Sequence, residues 1–185
     1  PVTESTKKAA RCFYSLSQDR ADSKRYPAVD PIDSYSKYLE YDEIQEFLNQ
    51  NISPGWVDKI YKAKDILLRG KEAKDQINIL GDDGVPLDYH SRFWKSELID
   101  RIILVQDSFD PIDKSTPMKR QAYMLNLLLN ICDTNFDFES YEELQPFYSR
   151  VINVLLQMNY QPFEGDKFKE YEAQLESILA ERRVK

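Results

Sequence analysis

Glycine, cysteine and histidine are scarce in this sequence, and each scarcity excludes a class of site. Only five of the 185 residues are glycine, and none stands in the spacing of a phosphate-binding loop. The two cysteines, Cys12 and Cys132, are far apart and share no metal-ligand spacing, which favours reduced thiols in a cytosolic protein. The single histidine, His90, also lacks such a partner and is expected to be a surface or capping residue. We therefore predict no metal site.

Long apolar runs and clusters of basic residues are missing as well. No stretch approaches the ~20 consecutive apolar residues needed to cross a bilayer, and no signal-peptide pattern opens the chain. Lysine and arginine number 25 against 32 aspartates and glutamates, a net charge of −7. Binding to nucleic acid or to an anionic membrane surface is not expected, because both need concentrated positive charge. No serine lies in a nucleophile-elbow pattern, so we predict no complete active site and no catalytic residue.

Helical periodicity dominates the sequence from about Tyr41 onward. The hydrophobic fraction of 42% is sufficient for one sizeable core. Ser53-Pro54 and Thr116-Pro117 are typical helix starts, and "GDDGVP" at 81–86 is a helix breaker. We predict a mainly α fold, a bundle of about six helices joined by short connections.

The first forty residues follow a different pattern. "TESTKKAARCFYSL" fits either an amphipathic helix or a strand, and "SQDRADSKRY" favours a short helix that stops before Pro27. In "RYPAVDPIDSYSKY" two prolines restrict residues 26–31, which we expect to be extended. A side chain presented there, such as Tyr26, has little entropy left to lose on binding a ligand.

Three blocks of this sequence resemble the catalytic A subunit of V-type and archaeal A-type rotary ATPases. Residues 1–38, "PVTEST…SYSKY", are similar to the stretch that closes the nucleotide-binding domain, and "YPAVDPIDS" also resembles the catalytic β subunit of F-type ATP synthases. "QINILGDDG" and "LVQDSFDPID" follow in the family's order. The resemblance implies that residues 1–40 end the nucleotide-binding domain and that residues 41–185 form the C-terminal helical bundle domain. Since the sequence opens on Pro1, we interpret it as a C-terminal fragment of that subunit.

The resemblance also implies roles for particular residues. Tyr26 and Phe109 match the two aromatic residues that stack on the adenine ring in the family. Such stacking does not depend on hydrogen bonds to the edges of the base. Gly81, Asp82 and Asp83 occupy the place of the loop that contacts the central stalk. Without the resemblance, the two aromatics are interpreted as ordinary core or boundary residues and the turn as a solvated helix connection.

The implied function belongs to the full-length subunit, which binds ATP or ADP with Mg²⁺ and hydrolyses or synthesises ATP during proton or sodium transport. The phosphate-binding loop would lie upstream, so the fragment is expected to be inactive with no cofactor bound. Implied partners are the B subunits of the hexameric head, the central stalk and, indirectly, the membrane-bound ion-translocating sector. The complex would be cytoplasmic and peripheral to the cell membrane, with no direct membrane contact by this chain.

A mechanical role follows from the same resemblance. The bundle would move as a rigid body about a hinge at residues 34–41 and press on the stalk through residues 81–88. The rival interpretation is a non-enzymatic α-helical scaffold or protein-interaction module, which explains everything after Tyr41 equally well.

Overall fold

The computed structural model describes residues 2–184, with side chains from Glu4 onward. Pro1 and Lys185, the outer ends of the two predicted domains, lie outside the described residues. The described residues form eight α-helices and one two-stranded sheet. This confirms the predicted mainly α class, with a helical bundle preceded by a strand segment.

The stretch "TESTKKAARCFYSL", which fits either a helix or a strand, contains parts of both. A polar helix is followed by a strand, a one-and-a-half-turn helix and a second strand that pairs antiparallel with the first. A 3₁₀ turn then leads into the bundle. These elements are α1 (Val2–Ala9), β1 (Cys12–Leu16), α2 (Gln18–Asp22), β2 (Val29–Ser36) and the 3₁₀ turn Lys37–Glu40.

Six helices follow, as the periodicity predicts. A five-residue π-helical turn, Asp100–Leu104, continues the third of them, and Gly81 ends the second in a backbone conformation with φ of 80°. The helices are α3 (Asp42–Asn51), α4 (Trp56–Leu80), α5 (Leu87–Ile99), α6 (Met118–Asp133), α7 (Tyr141–Asn159) and α8 (Asp166–Ala180).

The core lies among α4 to α8. Side chains at helical spacing on these helices are fully buried, including Leu98, Leu128, Leu144, Val151, Leu155 and Met158. The α4–α5 pair packs especially closely at Gly70, where an added Cβ would lie 2.0 Å from the Ser96 hydroxyl oxygen. Gly70 therefore does not interrupt α4; it allows α5 to approach it.

The expectation of an extended backbone at residues 26–31 is only partly correct. The chain is a strand from Val29 onward, but it bends at Tyr26 and Pro27, whose peptide bond is cis. The predicted short helix is present as α2, and it ends at Asp22, before Pro27. None of the helices within residues 2–184 is both long enough and apolar enough to cross a membrane.

Candidate functional site

Tyr26 lies in a tight loop that follows α2. The Ser17 hydroxyl caps this helix by accepting a hydrogen bond from the Arg20 backbone N–H at 3.3 Å. Lys24, with φ of 55°, then turns the chain back toward β2. The Tyr26 ring remains 54% exposed, and its hydroxyl lies 3.4 Å from the Ala21 carbonyl oxygen. The loop thus presents one face of an aromatic ring to solvent.

Two buried carboxylates at the C-terminal end of α5 hold this loop. Arg25 forms a two-pronged contact with Glu97, at 2.9 Å from Nη1 to Oε1 and 3.0 Å from Nη2 to Oε2. Arg25 and Arg20 each also donate to Asp100. Glu97 and Asp100 are both only 5% exposed, so the arginines supply the partners that buried carboxylates require.

Burial and the two carboxylates act in opposite directions on the pKa of Arg25, and the carboxylates prevail. Burial has the largest single influence and acts to lower the pKa of Arg25. The hydrogen bonds and charges of Glu97 and Asp100 act in the opposite direction, and together they raise the pKa of Arg25 above its ordinary value. The guanidinium is therefore firmly charged in its partly buried position.

Phe109 lies in a loop shaped by three aspartates. Asp107 Oδ1 accepts the Phe109 backbone N–H at 2.9 Å, and Asp113 Oδ2 accepts the Asp107 N–H at 2.7 Å. Asp110 Oδ1 accepts the backbone N–H groups of both Ile112 and Asp113 at 2.8 Å. These local bonds leave the Phe109 ring 94% exposed.

The tetrapeptide Asp-Pro-Ile-Asp occurs twice, once within β2 and once in the Phe109 loop. In its first copy, Asp30 Oδ1 accepts the N–H groups of Ile32 at 2.8 Å and Asp33 at 3.1 Å, the pattern that Asp110 makes in the second. The same local sequence therefore makes the same side-chain hydrogen bonds at two positions about 80 residues apart in the chain.

Buried polar groups lie where the Phe109 loop meets the bundle. Arg120 is 2% exposed and donates to the carbonyl oxygens of Met158 at 2.9 Å and Asn159 at 2.6 Å. Burial lowers the pKa of Arg120, against the opposing charges of Asp113 and Asp110. Burial raises the pKa of Asp113, although the Asp107 N–H and Arg120 favour its charged form.

A main-chain hydrogen bond joins the two loops. The Gln106 N–H donates to the Tyr26 carbonyl oxygen at 2.9 Å, so the two predicted aromatic residues lie on adjoining segments. A cavity of about 450 Å³ lies at the Arg25 contact, lined by Arg20, Arg25 and Glu97 with residues of α4, and neither aromatic residue lines it. A more apolar cavity of about 650 Å³ separates β2 from α4, with Tyr35, Trp56 and Ile60 in its wall.

Comparison with known proteins identifies the family. The V-type ATP synthase alpha chain of Borrelia duttonii (strain Ly) is 34% identical over 187 residues, covering 100% of this chain and 30% of the relative. That of Protochlamydia amoebophila is 32% identical over 185 residues, 100% of this chain and 31% of the relative. That of Chlamydia abortus is 35% identical over 170 residues, 92% of this chain and 28% of the relative.

This chain belongs to the V-type ATP synthase alpha-chain family. It spans about 30% of the length of the relatives it matches, as a C-terminal part of that subunit does. No protein-family model matches it. In fold it is similar to the ATP synthase subunit NeqB of Nanoarcheaum equitans, with a TM-score of 0.54 and 18% identity over 72% of this chain and 32% of that one.

The predicted stalk loop of this V-type ATP synthase alpha-chain segment is a surface turn. Gly81, Asp82 and Asp83 are all exposed. His90 supports the turn, with Nε2 at 3.0 Å from the Asp82 carbonyl oxygen and its ring 4.2 Å from that of Tyr141. His90 is 2% exposed, so the expectation of a surface residue is wrong and only that of a capping residue holds. The aromatic neighbour and the carbonyl bond explain its burial.

Sequence reasoning missed the polar groups that position both loops of this alpha-chain segment. Glu97 and Asp100 stand in the largely apolar helical stretch "SELIDRII", where two carboxylates on a buried helical face are a signal of ionic partners elsewhere. Arg120 likewise lies on the buried face of α6. Their partners are 38 to 80 residues away in the chain, which no local pattern reveals. Within residues 2–184, no three His, Cys, Asp or Glu side chains group as metal ligands.

Proposed function

We propose that this chain forms the adenine side of the nucleotide site in a V-type ATP synthase alpha chain. The observation that carries the proposal is the pair of exposed aromatic residues, Tyr26 and Phe109, on two segments joined by the hydrogen bond from the Gln106 N–H to the Tyr26 carbonyl oxygen. A purine inserted between two such rings gains stacking energy on each face. The relatives named above are alpha chains of this ATP synthase, which favours this role over an anonymous helical scaffold.

The phosphates and Mg²⁺ would be held by parts of the subunit that this chain does not span. When bound, ATP would be hydrolysed by phosphoryl transfer to water, and the ion would neutralise charge on the transferring group. Tyr26 and Phe109 orient the base and exclude water from its faces. The complete subunit would act in the head of a rotary complex that moves protons or sodium ions, next to B subunits.

The proposal is tested by removing each ring from the full-length alpha chain in the assembled ATPase. Tyr26→Ala and Phe109→Ala should each raise KM for ATP roughly 5- to 150-fold, the equivalent of ~1–3 kcal/mol of stacking. Tyr26→Phe keeps the ring and should retain the parent KM. Phe47→Ala removes an exposed phenylalanine of α3 and serves as the matched control. An unchanged KM in both alanine variants would rule out the adenine role.

The chain alone is expected neither to hydrolyse ATP nor to bind it measurably. Two rings without phosphate ligands offer few contacts, and association has its own entropic cost. Isothermal calorimetry with millimolar ATP checks this expectation, and a clear saturable heat signal would contradict it.

We also propose that the turn of Gly81, Asp82 and Asp83 contacts the central stalk. The turn lies at the N-terminal end of α5, and Glu97 lies near the other end, a separation of about 20 Å at 1.5 Å per residue. Movement of the nucleotide site would therefore reach the stalk through α5. Replacing both aspartates with lysine should weaken coupling between ATP hydrolysis and ion transport in the assembled complex, because the charge sign at the contact is reversed. Unchanged coupling would exclude a charge-based contact.

A further inference from the structure

We infer that the ionic cluster around Arg25 fixes the Tyr26 loop to the helical bundle, so that the Tyr26 ring moves with the bundle and with Phe109, whose loop joins the π-helical turn to α6. The inference rests on the proposed function for the use of the rings, whereas the mechanical attachment rests on the contacts alone. The Arg25 cluster consists of Arg20, Arg25, Glu97 and Asp100. The Arg120 cluster consists of Asp113, Arg120 and Asn159.

The Arg25 cluster joins two parts of the chain that are remote in sequence. Its arginines flank the loop that carries Tyr26, while its carboxylates lie on α5 and the π-helical turn. The side chains of Glu97 and Asp100 are only 6% and 7% exposed, so little solvent is available to replace a lost arginine. Moving the loop away from the bundle would leave these carboxylates buried with fewer partners.

Arg25 is the member that carries this attachment. It is adjacent to Tyr26, and it contacts both carboxylates with two nitrogen atoms. Arg101 also contacts Glu97, from Nε to Oε2 at 2.7 Å, but Arg101 follows Glu97 on the same helical segment and therefore cannot hold the loop. Arg20 contacts Asp100 through Nη1, while its Nε and Nη2 are buried without a hydrogen-bond partner among the described residues.

The Arg120 cluster lies where the loop that carries Phe109 meets the bundle. Asp113 is 6% exposed and binds the Asp107 N–H at the start of the loop. Arg120 connects α6 to the C-terminal end of α7, and Asn159 Nδ2 donates to the Ile102 carbonyl oxygen at 2.9 Å. These groups surround a small cavity of about 180 Å³ beneath the loop. Arg120 and Asn159 therefore join α6, α7 and the π-helical turn to one another beside this loop.

Two further contacts close the connection between the loops and the bundle. The Gln106 N–H binds the Tyr26 carbonyl oxygen, and Lys64 Nζ of α4 donates to the Ser34 carbonyl oxygen at 2.8 Å. A hinge at residues 34–41 would have to break the Lys64, Gln106 and Arg25 contacts to separate Tyr26 from the bundle. We therefore place the flexible joint outside residues 17–116, and not at residues 34–41, where the resemblance suggests a hinge.

One consequence is a direct mechanical path. Tyr26 and Phe109, which would bind the base, belong to one rigid unit. The turn at residues 81–86 belongs to the same unit, and α5 lies between the rings and the turn. A nucleotide that binds the closed arrangement more tightly than the open one would drive such a unit to move. Arg25 is thus a positioning residue that acts through Tyr26, without contacting the nucleotide itself.

Hydrogen exchange in the assembled ATPase with full-length alpha chain tests the attachment. Arg25→Met should accelerate exchange at least tenfold in peptides containing Gln106, whose amide is protected by the Tyr26 carbonyl. Arg25→Lys keeps one charge but not the two-pronged contact and should give a smaller acceleration. The exchanged pair Arg25→Glu with Glu97→Arg should return exchange toward the parent rate. Arg150→Met, which removes an exposed pair with Glu181, is the control.

Kinetics then separates this inference from the proposed function. Arg25→Met should raise KM for ATP about as much as Tyr26→Ala, at least tenfold, with kcat changed less than threefold. The double variant should show no further rise, because Arg25 acts through Tyr26. If Tyr26→Ala leaves KM unchanged while Arg25→Met accelerates exchange at Gln106, the adenine role fails and the attachment stands.

Two results would overturn the attachment itself. One is parent-like exchange at Gln106 in both Arg25→Met and Arg25→Lys. The other is equal acceleration throughout α6, α7 and α8, because that would show a general loss of stability in place of release of one loop.

Discussion

The N-terminal segment and the helical bundle are held together by different forces. Every buried apolar side chain among the described residues lies at or after Trp56, while residues 4–52 contain no buried side chain. Leu48 and Ile52 of α3 still pack against the core, but the N-terminal segment before α3 is attached through Arg20, Arg25 and hydrogen bonds to the Tyr26 and Ser34 carbonyl oxygens. Hydrophobic burial is non-directional and makes a compact body, whereas charged hydrogen bonds have fixed geometry and set the position of a loop.

The sheet in the N-terminal segment illustrates the same difference. An isolated two-stranded sheet is marginally stable in water, and Tyr14 and Leu16 of β1 are 74% and 78% exposed. Its stability therefore depends on what it is attached to. The bundle, in contrast, contains its own core. Removing side chains from each region and measuring the free energy of unfolding tests this difference.

The largest effect is expected from a leucine in the bundle core. Leu144→Ala removes a side chain with 0% exposure and should lower the free energy of unfolding by about 2–5 kcal/mol, because a cavity remains. The matched change in the other region, Leu16→Ala, removes a side chain that is 78% exposed and should alter it by less than about 0.5 kcal/mol. Urea denaturation followed by circular dichroism measures both. Equal losses would show that the N-terminal segment has a core of its own.

A smaller loss is expected where α4 and α5 touch. Gly70→Ala places a methyl group against Ser96 and should cost about 1–3 kcal/mol in the free energy of unfolding. Combining it with Ser96→Gly makes room for the methyl group and should return the protein to within about 1 kcal/mol of the parent, since one helix loses a glycine as the other gains one. The same denaturation experiment applies. A single variant as stable as the parent would mean that the helices can separate freely.

The smallest effect on stability is expected from the thiol of Cys12. Cys12 is exposed in β1, whereas Cys132 is buried in α6, where burial raises the pKa of its thiol to about 12 despite the charges of Lys95 and Lys62. A thiol reagent at pH 8 should label Cys12 rapidly and Cys132 only after unfolding, because the thiolate is the reactive form. Labelled Cys12 should leave the free energy of unfolding within about 0.5 kcal/mol of the parent.

Mass spectrometry of the labelled peptides, with Cys12→Ser and Cys132→Ser as references, distinguishes the two thiols. Labelling of both at similar rates in the folded protein would show that the bundle opens as easily as the N-terminal segment does.

The helices could be predicted because their signals are local. Ser53-Pro54 precedes α4, Thr116-Pro117 precedes α6, and apolar residues recur every three or four positions on each core helix. "TESTKKAARCFYSL" could not be assigned, because it contains the end of one element and the start of another: α1 ends at Ala9 and β1 begins at Cys12. Tyr26 and Phe109 could be selected as candidates only through the resemblance to rotary ATPases, and their stacking role stays a prediction.

The helical stretches after Tyr41 and the apolar positions of the core follow from local sequence, because periodicity and side-chain polarity act within a few residues. Only the tertiary structure decided that Arg25 meets Glu97 and Asp100, that Gln106 binds the Tyr26 carbonyl, and that His90 is buried against the turn at Asp82. These contacts join residues that are far apart in the chain, whereas the helical signals act between near neighbours. A charge or a carbonyl can be satisfied by any partner that folding brings near, and its own neighbours in the chain do not specify which partner that is.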